Sequence, residues 1–277
     1  MKKVLFLFIF LSFIFAQDEP VTEGWKSSGV AGINLSQIAL SNWSQGGQNS
    51  LAFNITGNFS FSYVSNPWKL DNTLKIAFGK TKLGSENFKT TDNEIFQESV
   101  LSRDFGWFVN PYVGNSIRTV IANGYSYENN QSTKIAAFFD PGYITQSLGF
   151  TYDKLKGFKT RLGVALQETF TNKFRNYSDD PETTPEIENF KFETGMESVT
   201  EGQVTLDDNL LFDTQLRLFT RFDALDVWDV RWDNILTAKV NSYINVNFNV
   251  LIIYEKSQSP KTQLKEALQL GITYTLF

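Results

Sequence analysis

Asp229, Arg231 and Asp233 follow one another at every second position. In a strand, alternate side chains point to the same face, so this spacing sets a guanidinium between two carboxylates on one wall. Such a triplet suits a charge-paired surface better than an acid–base pair, which needs two carboxyls in environments that push their ionisation apart. The same parity collects Lys69, Asp71 and Lys75; Glu94 and Glu98; Arg118; Arg161; and Asp213, Arg217 and Arg221. Lys159, Glu193, Glu197 and Lys239 fall in with them. Both signs are present along the whole chain. Rings of such charges set ion selectivity in a wide pore, and in a narrow one they pair and fill it.

Much other chemistry is closed. The 277 residues include no histidine and no cysteine. A Ser–His–Asp triad and a histidine general base are impossible, as are thiol catalysis and Cys–metal sites. No catalytic residue is assigned. Only a histidine-independent lipid or peptide hydrolase would remain open to an enzyme reading. Asp207-Asp208 and Asp179-Asp180 fall in connections, where acids are ordinarily solvated. A metal would need hard oxygen donors, which favours Ca²⁺ or Mg²⁺. Asp179, Asp180 and Glu182, with Glu186 and Glu188 nearby, are weak Ca²⁺ candidates without an EF-hand spacing. No cofactor is expected. The formal charge of −5 gives no reason to expect a nucleic-acid partner.

The elements that carry these residues are strands. Leu51 to Tyr63 alternates along its length, Ile244 to Tyr254 sets its apolar parity against Asn245, Asn247 and Asn249, and Leu268 to Leu276 alternates throughout. The alternation predicts twelve strands in an all-β, antiparallel, up-and-down transmembrane barrel. Gly24 to Leu40 is the weakest of them. Ile33 and Leu35 share one parity while Ile38 and Leu40 take the other, which predicts a bulge or a segment tucked into the lumen. Lys134 to Tyr152 changes phase at Pro141-Gly142, where a second bulge is expected. Connections alternate between long and short. Long polar loops are expected near 80–91, 122–133 and 173–188. In the closing strand, Gln269, Gly271, Thr273 and Thr275 should line the lumen beside Asn245, Asn247 and Asn249. Phe277 falls on the inward parity: either the last residue twists out of register, or Leu276 and Tyr274 carry the outward terminal signal.

The first sixteen residues read as a signal peptide: Lys2-Lys3, an apolar run from Val4 to Phe15, then Ala16. Its removal leaves 23 Lys and Arg against 30 Asp and Glu, a formal charge of −7. Residues 17–277 form one barrel domain. The expected location is the outer membrane of a diderm (Gram-negative) bacterium, with both termini periplasmic. The expected partners are outer-membrane lipid and, during insertion, the barrel-assembly machinery; an external partner stays open.

Asn42-Trp43-Ser44-Gln45-Gly46-Gly47-Gln48-Asn49-Ser50 resembles the Asn-Trp-x-x-Gly-Gly-x-Asn-Ser signature of the domain of unknown function 3078 family. Lys89-Thr90-Thr91-Asp92, Arg118-Thr119 and Phe138-Phe139-Asp140-Pro141 are similar to weaker landmarks of that family. The resemblance implies an exported outer-membrane barrel and no assigned activity. It singles out Asn42, Trp43, Gly46 and Gly47 as a loop motif. Together these readings lead to a small porin-like channel or transporter of unknown substrate. The alternative is a structural or adhesion barrel with a side-chain-filled lumen and partner-binding external loops.

Overall fold

The computed structural model describes residues 23–42, 44–128, 131–179, 186–256 and 261–276. The expected signal peptide and Phe277 lie outside the described residues. The strands are β1 (Gly24–Ile38), β2 (Ser50–Ser65), β3 (Trp68–Leu83), β4 (Lys89–Arg103), β5 (Asn110–Thr119), β6 (Gly124–Glu128), β7 (Gln131–Ala136), β8 (Gly142–Leu155), β9 (Phe158–Phe170), β10 (Phe190–Asp207), β11 (Leu210–Arg221), β12 (Trp228–Lys239), β13 (Ile244–Tyr254) and β14 (Gln263–Thr275). All but β6 and β7 close into a twelve-stranded antiparallel barrel in the order β1-β14-β13-β12-β11-β10-β9-β8-β5-β4-β3-β2. Closure pairs every barrel strand on both sides, as a spanning sheet in hydrocarbon requires.

Alternation decides which residues meet the outside. Val113, Leu148, Leu162, Val164, Leu268, Leu270 and Ile272 are exposed on the outer wall, while Thr145, Ser147, Arg161, Gln167 and Asn245 between them are buried inside. Aromatic pairs ring the end that carries the short turns: Trp25 with Tyr63 at 5.0 Å, Phe105 with Trp107 at 5.1 Å, and Phe108 with Tyr152 at 4.9 Å. At the other rim Phe139, Phe170 and Phe190 form a chain with steps of 6.1 and 5.0 Å. Such belts belong at the two interfaces of an apolar band.

The turns are tightest at the first rim. Residues 156–157 connect β8 to β9, and Gly157 has φ +74°, with the Gln203 carbonyl 2.3 Å from where a Cβ would sit. No other residue type fits there without strain.

Five expectations need correction. β1 runs unbroken, pairing with β2 from Gly24–Val64 to Ile38–Ser50 with no register shift, so there is neither a bulge nor a tucked segment. Ile38 changes parity because it ends the strand at the loop rim, where neither face is lipid. The phase change at Pro141-Gly142 is likewise no bulge. The chain leaves the barrel after β5 and makes the β6–β7 hairpin before returning at Gly142. The expected polar loop near 122–133 is therefore largely a hairpin. The connection near 80–91 contracts to 84–88, because β3 and β4 stay paired out to Thr81–Lys89, past a register shift at Gly79/Lys80. Polar residues there continue the ladder, and side-chain alternation cannot report strand beyond the apolar band. The connection 104–109 is consequently longer than 84–88, so long and short loops do not alternate strictly.

Candidate functional site

The charged side chains singled out by parity meet inside the barrel. Near the short-turn rim, Lys69 Nζ lies 2.8 Å from Asp153 and 3.4 Å from Asp71. Asp71 also takes Lys159 at 3.1 Å and the Ser62 hydroxyl at 2.7 Å. Further in, Lys75 donates to Gln215 Oε1 at 2.9 Å, and Gln215 Nε2 donates to Glu201 at 3.2 Å. Arg161 is paired with Glu98 and lies 3.6 Å from Glu201. At mid-height Glu94 accepts from Arg118 at 3.3 Å and from Arg231 at 3.0 Å. Arg231 Nε also donates to Asp233 at 3.0 Å. Arg217 donates to Glu197 at 2.6 Å and to Gln167 at 2.9 Å. Towards the loop rim Arg221 meets Glu193 at 3.0 Å and Asp223 at 3.8 Å. Asp213 accepts from Gln203 at 2.7 Å.

Two of these links cross the whole barrel. β4 and β12 are six strands apart whichever way the ring is followed, and so are β3 and β11. The Glu94–Arg231 and Lys75–Gln215 contacts therefore join opposite walls. A cavity of about 200 Å³ opens on the loop side, lined among others by Arg118, Arg217 and Asp229. A second, of about 490 Å³, opens on the short-turn side, lined by Lys69, Lys159 and Asp213. Glu98, Gln215 and Asp233 line both. Two chambers of mixed polar and apolar lining thus meet at a waist of Glu98, Gln215 and Asp233.

Apolar groups narrow the waist further. Phe96, Val100, Tyr112, Val199 and Phe219 are buried on the inward parity. The Arg118 guanidinium stacks 4.6 Å from the Phe96 ring centre, and Arg217 lies 5.6 Å from that of Phe219. These contacts hold the arginines against the wall, where each meets a carboxylate of the neighbouring strand, Arg118 with Glu94 and Arg217 with Glu197. Tyr112 fits because Gly163 faces it: a Cβ there would lie 2.9 Å from the Tyr112 hydroxyl and 2.4 Å from the Leu148 carbonyl.

The charge list lacked several partners. Asp153, Asp92, Lys265, Glu201 and Gln167 all bond across strands. Lys265 reaches Asp92, which also accepts from Asn54 at 2.6 Å. Their signal was the same inward parity, within the strands for Asp92, Glu201 and Gln167 and just past the apparent strand ends for Asp153 and Lys265. At the closing seam, Gln269 accepts from Asn34 at 3.2 Å and from Asn249 at 3.3 Å, and Asn245 donates to Thr273 at 2.8 Å. Gln269 and Thr273 therefore face the lumen with the asparagines of β13.

Two sites lie on the loop rim. Asn42, Gly46 and Gly47 sit in the β1–β2 connection with φ of 54°, 80° and 118°; Trp43 is outside the described residues. Asn49 fastens this loop. Its Oδ1 accepts the Leu40 N–H at 2.7 Å and its carbonyl accepts that of Gly84 at 2.7 Å. Asp140 fastens the 171–189 connection, accepting backbone N–H groups of Asn172 at 2.8 Å, Lys173 at 2.9 Å and Phe174 at 3.4 Å. Burial opposes ionisation of Asp140, but the three N–H donors outweigh it and hold the carboxyl below the usual carboxylate range. Within that connection, Asp179 accepts the Glu188 N–H at 3.3 Å; Asp180 and Glu182 lie outside the described residues. Among the described residues no group of three or more Asp and Glu is arranged to hold a metal ion.

The family model described as "Protein of unknown function (DUF3078)" matches residues 35–125. The match takes in the Asn42–Ser50 motif, Lys89–Asp92 and Arg118-Thr119, and stops short of Phe138–Pro141. No curated protein matches. Among solved structures, the chain is similar to the translocator domain of the autotransporter NalP from Neisseria meningitidis, at 10% identity over 92% of this chain and 90% of that one, with a TM-score of 0.37. It is similar to the COG4313 outer membrane channel from Pseudomonas putida F1, at 10% identity over 95% and 99%, with a TM-score of 0.39. It is similar to Salmonella typhi OmpF in a complex with daunomycin, at 10% identity over 91% and 97%, with a TM-score of 0.29. The fold is a closed, twelve-stranded antiparallel β-barrel.

Proposed function

We propose that this barrel is a small porin-like channel of the outer membrane whose path is held narrow by ion pairs drawn across its lumen. The observation that carries the reading is a lumen crossed by two links between opposite walls, Glu94–Arg231 and Lys75–Gln215, with chambers on the loop side and the short-turn side that meet at Glu98, Gln215 and Asp233. A structural plug has no need of chambers at both ends lined by the same waist residues. The mixed signs at the waist favour small ions and zwitterions over a solute of one fixed charge. Short turns then face the periplasm with both termini, the long loops face outward, and the leader is removed on export. Lipid meets the apolar band, and Tyr274 and Leu276 present the outward end of the closing strand to the assembly machinery. The reading assigns passage, not catalysis.

A second reading, a barrel with a filled lumen, draws on how many of the same pairs reach across. Planar-bilayer recording of the purified, folded protein separates the two. Steps of small conductance that grow in Glu94→Ala support the channel. A correctly folded barrel that stays silent, with Glu94→Ala silent too, overturns it in favour of the filled barrel.

A further inference from the structure

The outer wall carries one sector that does not suit lipid. Asn72, Ser99, Asn115 and Gln146 are lateral neighbours on β3, β4, β5 and β8, through the pairs Asn72–Ser99, Ser99–Asn115 and Asn115–Gln146. All four share the parity of exposed outward residues: Trp68, Leu101, Val113 and Leu148 on the same strands. Gln97 joins them one step along β4. Asn72 lies four residues in from the short-turn end of β3, and Gln146 four residues in from the loop end of β8. At a rise of about 3.3 Å and a tilt near 40°, each is about 10 Å inside an apolar band roughly 25 Å tall. The row therefore climbs through the depth of the hydrocarbon.

Several polar outward groups elsewhere bond one another within the wall. Thr160 and Thr200 share a hydrogen bond at 2.9 Å, and Thr214 donates to Asn234 at 2.8 Å while accepting from Trp232 at 2.9 Å. In this sector Gln97 donates to Ser99, Ser99 to Asn72, and Asn72 to the Phe61 carbonyl. Among the described residues that relay leaves the Gln97 side-chain carbonyl without a donor. The side-chain amides of Asn115 and Gln146 take no hydrogen bond among the described residues. The opposite face, on β13, presents only Ile244, Val246, Phe248, Val250, Ile252 and Tyr254. Unsatisfied amides in hydrocarbon are costly, and only another membrane-spanning surface can reach them at that depth.

We infer that the β3-β4-β5-β8 face is a self-association surface, and that its occupant is a second copy of this chain. The row is uncharged, so it asks for no partner of opposite sign. Each amide is both donor and acceptor, so the same set of groups is its own complement across a two-fold axis. With both copies in the same orientation, the two inclined rows cross instead of overlying each other. The contact then centres on Gln97, Ser99 and Asn115.

The cysteine-free chain makes the test direct. Asn115→Cys is oxidised in membranes, with Phe248→Cys on the opposite wall as control, and wild-type protein in lipid nanodiscs is weighed by native mass spectrometry. The expected result is a covalent species at twice the chain's mass for Asn115→Cys alone, a dimer mass for wild type, and a folded monomer for Asn115→Leu/Gln146→Leu. A monomeric wild type, equal cross-linking through Phe248→Cys, or an Asn115→Cys adduct containing a different protein would each overturn it. None of these outcomes depends on conductance.

Discussion

Arg231 on β12 donates through one nitrogen, Nη2, to both carboxylate oxygens of Glu94 on β4, at 3.1 and 3.0 Å, across the full width of the barrel. Arg118, the neighbour of Glu94 on β5, shares the same carboxylate. One acid thus balances two guanidiniums at the waist. Glu94→Gln should leave Arg118 without its counter-charge and Arg231 with Asp233 alone, and turn the pore towards anions. Arg231→Gln should do the reverse, since Asp233 then loses its partner. Reversal potentials under a salt gradient should move in opposite directions for the two variants. Equal or absent shifts would place the current elsewhere.

Arg161 tests what the pairs contribute to stability. Its side chain is 3% exposed and faces Glu98 and Glu201. Removing one member of such a buried set leaves the other charges uncompensated, at about 3–5 kcal/mol. Arg161→Met should lower the temperature of the heat-modifiable mobility shift clearly. Arg161→Lys should lower it less, because one charge remains but cannot serve both carboxylates.

Asp140 should govern the loop between β9 and β10 in a pH-dependent way. Its carboxyl is held below its ordinary value of 3.8 by the Asn172, Lys173 and Phe174 N–H groups, against burial. A depressed carboxylate contributes stability fully above the unfolded value and loses it as pH falls through the lower folded value. Asp140→Asn should therefore cost about 1–3 kcal/mol of local stability near neutral pH. Trypsin should cut faster at Lys173 and Arg175 in the variant. Hydrogen exchange at the same amides should differ between the two proteins at pH 7 and converge well below pH 3.8.

Gly163 should not tolerate even a methyl group. A Cβ would meet the Leu148 carbonyl at 2.4 Å, which is backbone and cannot rotate away. Gly163→Ala should cost about 1–3 kcal/mol by overpacking, read as a lower unfolding midpoint of the refolded barrel in urea. An unchanged midpoint would mean that β8 and β9 separate there easily.

How much of this was legible before folding depends on the kind of information involved. The two-residue period of Leu51–Tyr63 or Ile244–Tyr254 fixes which side chains share a face, whatever the strand pairs with. It therefore identified the barrel class, the number of barrel strands and the inward set that holds Glu94, Arg118 and Arg231. The period fails where both faces are wet. Lys80–Leu83 and Lys89–Thr91 are strand, and Gly124–Glu128 pairs with Gln131–Ala136, with little apolar contrast to show it. Ile38 misled for the same reason, since a parity change at a rim carries no energetic penalty.

The sequence by itself determined sidedness, because burial in lipid is decided residue by residue along each strand. Tertiary structure alone decided partners. Glu94 and Arg231 are 137 residues apart, and their meeting depends on the register of every strand pair between them, summed around a closed ring. A slip of one residue at any pair would turn a whole strand inside out, and a slip of two would keep sidedness while moving every charge to a different height. The waist, its two chambers and the climbing row of outward amides are all consequences of that accumulated stagger, which no local pattern records.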